Sequence, residues 1–239
     1  VNYKSDYWKT VPGWFDWFDL YDEVAITTPP YSTVIEVGVA FGRSLLYLAQ
    51  KIKETGKQIR ICAVDPWLPY EEHAFIYQES APQVESERVC WEAAQKHGGV
   101  FPSFLHYLYE SGLADMVDIL RTDSVSASMV FEAKEVHPHF VFIDADHSSE
   151  ENVRRDLDYW WDLHPEWISG HDYNRGSEIH FPGVWKAVHS KFGGPNGSLV
   201  DQNIEWVGQT CFVVRRANLE RESERGKQAV RPFKPVKAR

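Results

Sequence analysis

Two short stretches of this chain place groups able to do chemistry close together. The first, Phe140-Val-Phe-Ile-Asp144-Ala-Asp146-His147-Ser148, runs from large apolar residues into two carboxylates and an imidazole within four positions. The second, Gly170-His171-Asp172-Tyr173-Asn174, follows another apolar run. Carboxylate oxygens are hard ligands suited to Mg²⁺ or a similar ion. Asp144 and Asp172 are therefore candidate metal ligands. His171 is a softer donor and matches Mn²⁺, Fe²⁺ or Zn²⁺ better, so either it joins such an ion or the site works without metal. His147 has the near-neutral intrinsic pKa needed to take a proton from a hydroxyl. The plainer reading of His147 is a cap for a helix starting near Ser148.

A third stretch, Val34-Ile-Glu36-Val-Gly38-Val-Ala40-Phe-Gly42-Arg-Ser44, looks like a strand-to-helix turn with two glycines. Glycines there let the backbone approach a ligand that a Cβ would exclude, and the helix that follows presents free N–H groups. Glu36 would repel a pyrophosphate and welcome a cationic amino-acid group. The spacing is Gly-x-x-x-Gly, unlike the Gly-x-Gly-x-x-Gly of nicotinamide sites. Asp65 ends the apolar run Ile-Arg-Ile-Cys-Ala-Val, where an acid can accept hydrogen bonds from both hydroxyls of a ribose. Trp67 would stack on an adenosine or serve as a core or lid aromatic, and the sequence favours neither. Asp123 and Ser124 end the next apolar run; Ser124 is equally readable as a helix N-cap.

These groups need elements to position them. Strand and helix signals alternate, the mark of a parallel sheet covered on both faces. The pattern predicts strands at 34–38, 59–64, 117–121, 139–144, 167–171, near 199–206 and at 209–215. Helices are expected at 43–55, roughly 85–112, 124–133, 150–163 and 182–191. The last two strands lie too close for a helical crossover, so an antiparallel hairpin around Gly208 should close the sheet. The fold class is thus α/β: a Rossmann-like, doubly wound, seven-stranded sheet with a C-terminal antiparallel hairpin.

On Glu36-x-Gly38-x-x-x-Gly42, Asp65 and the closing hairpin, residues 32–215 resemble class I S-adenosylmethionine-dependent methyltransferases. The resemblance implies S-adenosyl-L-methionine held by Glu36, Gly38, Ala40, Gly42, Ser44, Asp65, Trp67, Asp123, Ser124 and Asp144. The acids after the fourth and fifth strands are similar to those of metal-dependent O-methyltransferases. Phe142-Ile-Asp-Ala-Asp-His-Ser148, Asp156-Leu-Asp-Tyr-Trp-Trp161 and Gly170-His-Asp-Tyr-Asn174 resemble more narrowly the cephalosporin hydroxylase-like group. That likeness implies Asp144, His171 and Asp172 as ligands of Mg²⁺ or Mn²⁺, and His147, three residues after Asp144, as the base in O-methylation of a small hydroxylated acceptor. The usual acidic or amide pair after strand five is His171-Asp172 here, and Pro165-Glu166-Trp167 replaces the usual Gly-Gly before it.

Composition narrows the alternatives. The 239 residues are 43% hydrophobic and suffice for one large domain. No apolar run reaches the ~18 residues of a membrane span, and no signal-like segment opens the sequence, which predicts a cytoplasmic protein. A net charge of −10 disfavours nucleic acid. Cys62, Cys90 and Cys211 are spaced as buried hydrophobes rather than a zinc site. Residues 1–30 form an aromatic helical extension, read as packing first and as a lid or homodimer contact second. Residues 66–90 form a lid-like insertion within a domain at 31–216, and 217–239 a basic flexible tail. Two other functions stay open. One is a nicotinamide oxidoreductase, against which the glycine spacing speaks; the other is a non-catalytic binding protein of the same fold.

Overall fold

In the computed structural model of the chain, residues 2–68, 76, 78–173, 181–193, 203–207 and 210–219 are described. The helices are α1 Phe18–Thr27, α2 Arg43–Thr55, α3 Glu85–His97, α4 Val100–Ser111, α5 Ser124–Ala133, α6 Glu150–Asp162 and α7 Pro182–Phe192. The strands are β1 Thr33–Val37, β2 Arg60–Val64, β3 Val117–Leu120, β4 Phe140–Ile143, β5 Trp167–Gly170, β6 Ile204–Val207 and β7 Cys211–Arg215. They form one sheet in the order β3-β2-β1-β4-β5-β7-β6. β1 to β5 pair in parallel, while β7 is antiparallel to both β5 and β6. The order reverses between β1 and β4, so their carboxyl ends open a crevice where α/β sheets bind ligands.

Side chains alternate across each strand with the period of the pleat. Val34, Ile61, Ala63, Phe140 and Phe142 pack into one core with residues of α1, α2 and α4. Ile35, Val37, Cys62, Val64, Val141 and Ile143 pack into the other with α5, α6 and α7. Residues 8–25 belong to the first core through Trp8, Trp17, Leu20, Tyr21 and Val24, so the aromatic extension is an integral part of the domain. All three cysteines are free and buried, and burial pushes the Cys62 and Cys90 thiols up to about 12.

The single helix expected at 85–112 is two. Gly98 and Gly99 carry φ of +82° and +127°, which no helix continues through, and the Gly99 amide closes back on the Ala94 carbonyl at 2.8 Å. The turn around Gly208, residues 69–75 and 77 of the insertion, the loop 174–180 and the tail beyond 219 lie outside the described residues. Among the described residues no helix is long and apolar enough to cross a membrane.

Candidate functional site

The carboxyl ends of β1, β2, β4 and β5 surround a cavity of about 540 Å³. Its wall includes Gly38, Ala40, Gly42, Ser44, Asp65, Trp67, Asp123, Ser124, Asp144, His147, His171 and Asp172. Of the sequence-predicted site residues, Glu36 alone is absent from this wall. It lies on the β1 face that meets α1 and α2, 1% exposed. Tyr21 and Ser44 donate to its two oxygens at 2.7 and 2.6 Å. Burial pushes its carboxyl up to about 8, against the pull of those two hydrogen bonds. Glu36 ties the N-terminal helix to the floor of the site. The period of the strand is the reason, since position 36 points the same way as Val34.

The two glycines are also required by the packing around them. A Cβ on Gly38 would sit 1.8 Å from the Asp144 carbonyl oxygen, and one on Gly42 2.7 Å from the Phe104 ring. Both positions have φ near +87°. They are glycines because β1 must turn hard against the end of β4 and against α4; ligand approach is a consequence of that turn.

Asp65 holds the turn from beneath. One carboxylate oxygen accepts from the Val39 and Ala40 amides, both at 2.9 Å, and the other from the Trp67 amide at 2.5 Å. The Trp67 indole N–H closes the loop by donating to the Ala40 carbonyl at 2.8 Å, and its ring stacks on Phe104 at 4.9 Å. Trp67 is thus both a packing aromatic and part of the cavity wall. Asp65→Asn removes a full charge and one acceptor oxygen from three amides, two of them buried. The expected cost is about 2 kcal/mol in urea unfolding, and an unchanged midpoint would show the clamp to be idle.

At the far side of the wall Asp123, not Ser124, is the N-cap of α5. It accepts from the Ser126 amide at 2.9 Å and hydroxyl at 2.6 Å, which lower its pKa. Ser124 is the first helical residue, and its hydroxyl accepts from the Trp160 indole at 2.9 Å. Sequence reasoning missed Asp156 nearby, a 3% exposed carboxyl on the cavity wall that burial lifts to about 6. Its signal was an acid on the apolar face of α6, between Val153 and Trp160.

The two acidic clusters do converge. Asp144, His171 and Asp172 each offer one ligand atom, all within 4.8 Å of one another. Asp172 has φ +58°, a left-handed backbone rarely adopted by a non-glycine residue. That conformation turns its carboxylate between two imidazoles: His147 Nδ1 at 2.9 Å and His171 Nδ1 at 3.2 Å. Burial works against a proton on either ring. It is overcome at His171 chiefly by Asp144, which with Asp172 raises the imidazole to about 10, and at His147 by the hydrogen bond with Asp172. Asp172 is held below the usual carboxylate range, burial being outweighed by the two histidines. His147 does not cap α6, since Ser149 does, accepting from Asn152 at 3.1 Å.

The N-terminal segment completes this end. Pro12, Gly13 and Trp14 line the cavity, the Trp17 ring lies 4.7 Å from that of His171, and Asp16 approaches His171 Nε2 at 3.8 Å. Trp14 is 50% exposed while Trp17 is buried, so this one segment packs the core and shapes the site.

Comparison with known proteins places this architecture in a family and a fold. A family model described as a methyltransferase domain matches residues 35–173. Comparison with curated proteins gives no match. Among solved structures, cofactor-bound Rv0187 from MTB is similar at a TM-score of 0.51 and 14% identity, covering 90% of this chain and 82% of that one. The O-methyltransferase NovP is similar at a TM-score of 0.50 and 11% identity, covering 83% of this chain and 77% of its own. At such identities the likeness to these two structures is one of fold.

Proposed function

The chain belongs to the methyltransferase-domain family, and from that premise we propose that it transfers a methyl group from S-adenosyl-L-methionine to an oxygen of a small hydroxylated acceptor, with a divalent ion at the acceptor end. One observation carries the reading: the His147 imidazole and three side chains able to hold an ion stand on the same cavity wall as the glycine turn and Asp65.

Methyl transfer to oxygen is an in-line displacement for which the cofactor brings the activation. The protein's tasks are alignment, exclusion of water and removal of one proton. The wall from Gly38 to Ser44, with Asp65, Trp67, Asp123 and Ser124, is the place for the cofactor. Asp65 holds the turn and stands on the wall where a carboxylate would meet ribose hydroxyls. His147 directs Nδ1 at Asp172, which leaves Nε2 to take the acceptor's proton.

The donor set suits a divalent cation: two carboxylates and an imidazole, with His147 behind Asp172 as an outer partner. The nitrogen favours Mn²⁺ over Mg²⁺. When bound, the ion would lower the pKa of the acceptor hydroxyl. A proton on His171 balances the carboxylates otherwise, and ion and proton compete for the same site. The acidic overall charge supports a small acceptor over nucleic acid.

Titration calorimetry tests the reading. Micromolar binding of S-adenosylhomocysteine is expected, together with a Mn²⁺ heat that Asp144→Ala abolishes. With the His171 pKa raised to about 10, the ring is protonated at pH 7.5 and must lose that proton to ligate. The Mn²⁺ heat should then vary with the buffer's ionisation enthalpy, reporting about one proton released per ion. A folded protein that ignores S-adenosylhomocysteine refutes the methyl-donor assignment. A Mn²⁺ heat that survives Asp144→Ala places the ion elsewhere.

A further inference from the structure

The N-terminal segment enters the first core at Val11 and again at Trp17, both buried. Between them burial alternates along irregular backbone. The Phe15 ring packs on Phe18 at 4.3 Å and Tyr47 at 5.0 Å, and Trp17 stacks on Phe142 at 4.8 Å. Trp14 and Asp16 are the exposed positions, and Trp14 lines the cavity. A large indole left open to solvent on a cavity wall offers a contact face to a ligand.

Neighbouring contacts fix where that face stands. On one side of Trp14 the Gly13 carbonyl accepts from Arg43 Nη1 at 2.9 Å, at the start of α2. On the other side Asp16 Oδ1 accepts from the Thr210 hydroxyl at 3.4 Å and lies 3.8 Å from His171 Nε2. Trp14 therefore hangs between the glycine turn and the ligand set, where the reading above puts the acceptor.

Electrostatics choose what binds there. Among the described residues no lysine or arginine pairs with Asp16. The two arginines of the wall are engaged elsewhere: Arg43 reaches Gly13 with its guanidinium 5.9 Å from the buried Trp8 ring, and Arg155 belongs to α6. A divalent ion held by Asp144 and Asp172 balances those two carboxylates and leaves the charge of Asp16 over. The face of an indole is the negative end of its quadrupole, and a carboxylate two residues away adds a full charge. Such a pair attracts an ammonium and repels a carboxylate or phosphate.

We propose that Trp14 and Asp16 form a seat for a cationic group on the acceptor, which makes the substrate a small molecule carrying both a hydroxyl and an ammonium, of the amino-alcohol or amino-sugar kind. The proposal rests on the methyl-donor reading and specifies its acceptor. Both residues lie outside the family match at 35–173, in the segment that closes this end of the cavity.

Choline and 3,3-dimethylbutan-1-ol test the seat, since they share a shape and a hydroxyl and differ by the positive charge. Saturation-transfer NMR titrations follow each probe on the protein loaded with S-adenosylhomocysteine and Mg²⁺, the ion keeping choline out of the ligand set. Choline should bind roughly 2- to 30-fold more tightly than the neutral alcohol, the span for a cation on an indole face. Trp14→Leu and Asp16→Asn should each reduce that preference, with S-adenosylhomocysteine binding intact as the sign of a folded protein. Trp14→Phe keeps an aromatic face and should retain part of the preference that Trp14→Leu loses, which a packing role alone would not produce. Failure of the wild-type protein to bind S-adenosylhomocysteine overturns the methyl-donor reading and the seat with it. Where S-adenosylhomocysteine binds, two results overturn the seat alone: choline binding no tighter than the neutral alcohol, or a preference that survives both Trp14→Leu and Asp16→Asn.

Discussion

Gly38→Ala should destabilise the protein by about 4 kcal/mol or more, the range in which a single substitution abolishes folding of a marginal domain. Two independent costs meet at this position. The backbone has φ +87°, where an L side chain costs roughly 1–2 kcal/mol. The added Cβ would also stand 1.8 Å from the carbonyl oxygen of Asp144 and 2.4 Å from its carbonyl carbon. Those are backbone atoms at the end of a central strand, and they cannot swing aside as a side-chain tip would. Relief requires β1 and β4 to separate where the Asp144 amide donates to the Val37 carbonyl at 2.8 Å. Gly56→Ala is the control: its φ is +71° but nothing lies within 4 Å of the new Cβ. Urea unfolding of both variants should show Gly56→Ala losing about 1 kcal/mol and Gly38→Ala several times more. Equal losses would mean that the turn yields and that the glycine is there for φ alone.

Glu36→Gln should change the pH dependence of stability on the order of 4 kcal/mol across the neutral range. The folded-state pKa is raised by burial from 4.5 to about 8. Between those values the folded protein keeps a proton that the unfolded chain has released, so stability falls as pH rises through the window and levels off above about 8. A shift of this size corresponds to roughly 4–5 kcal/mol. Glutamine cannot ionise, keeps the shape and retains an acceptor for Tyr21 or Ser44. The variant should therefore match the wild-type protein near pH 5 and exceed it at pH 9. Unfolding midpoints at a series of pH values read this directly, because all other titrating groups cancel in the difference. Parallel profiles would mean that the carboxylate ionises freely in the folded state.

Both predictions concern residues whose packing the sequence did not announce. Glu36 and Gly38 stand in a recognisable pattern, and the pattern correctly announced a strand, a turn and a helix. It could not say whether the carboxylate met a ligand or a tyrosine, because Tyr21 is brought to it by the packing of α1. Nor could it say that the Gly38 Cβ would strike Asp144, a contact between residues far apart in the chain. The helix at 85–112 was misjudged for a local reason: two adjacent glycines break a helix when both take positive φ, and apolar periodicity continues past them. Asp156 and Arg43 were visible as charged residues in telling places, one on an apolar helix face and one directly after the second glycine. Their significance depended on what surrounds them.

The order of elements, the parallel sheet and the closing antiparallel pair were determined by the sequence alone. Those follow from period-2 and period-3.6 apolar patterns, and from the length of each connection, all of which are local properties of a chain. The acid pairs after β4 and β5 were also legible, because strand ends in such a sheet lie along one edge. Tertiary structure alone decided which carboxylate faces which imidazole and that Asp172 takes a left-handed backbone to do so. It also decided that Asp65 binds three backbone amides and that residues 12–14 wall the cavity. Each of these is a contact of a few ångströms between distant parts of the chain. Such distances, and the electrostatic shifts they cause, exist only once the two cores have closed around the sheet.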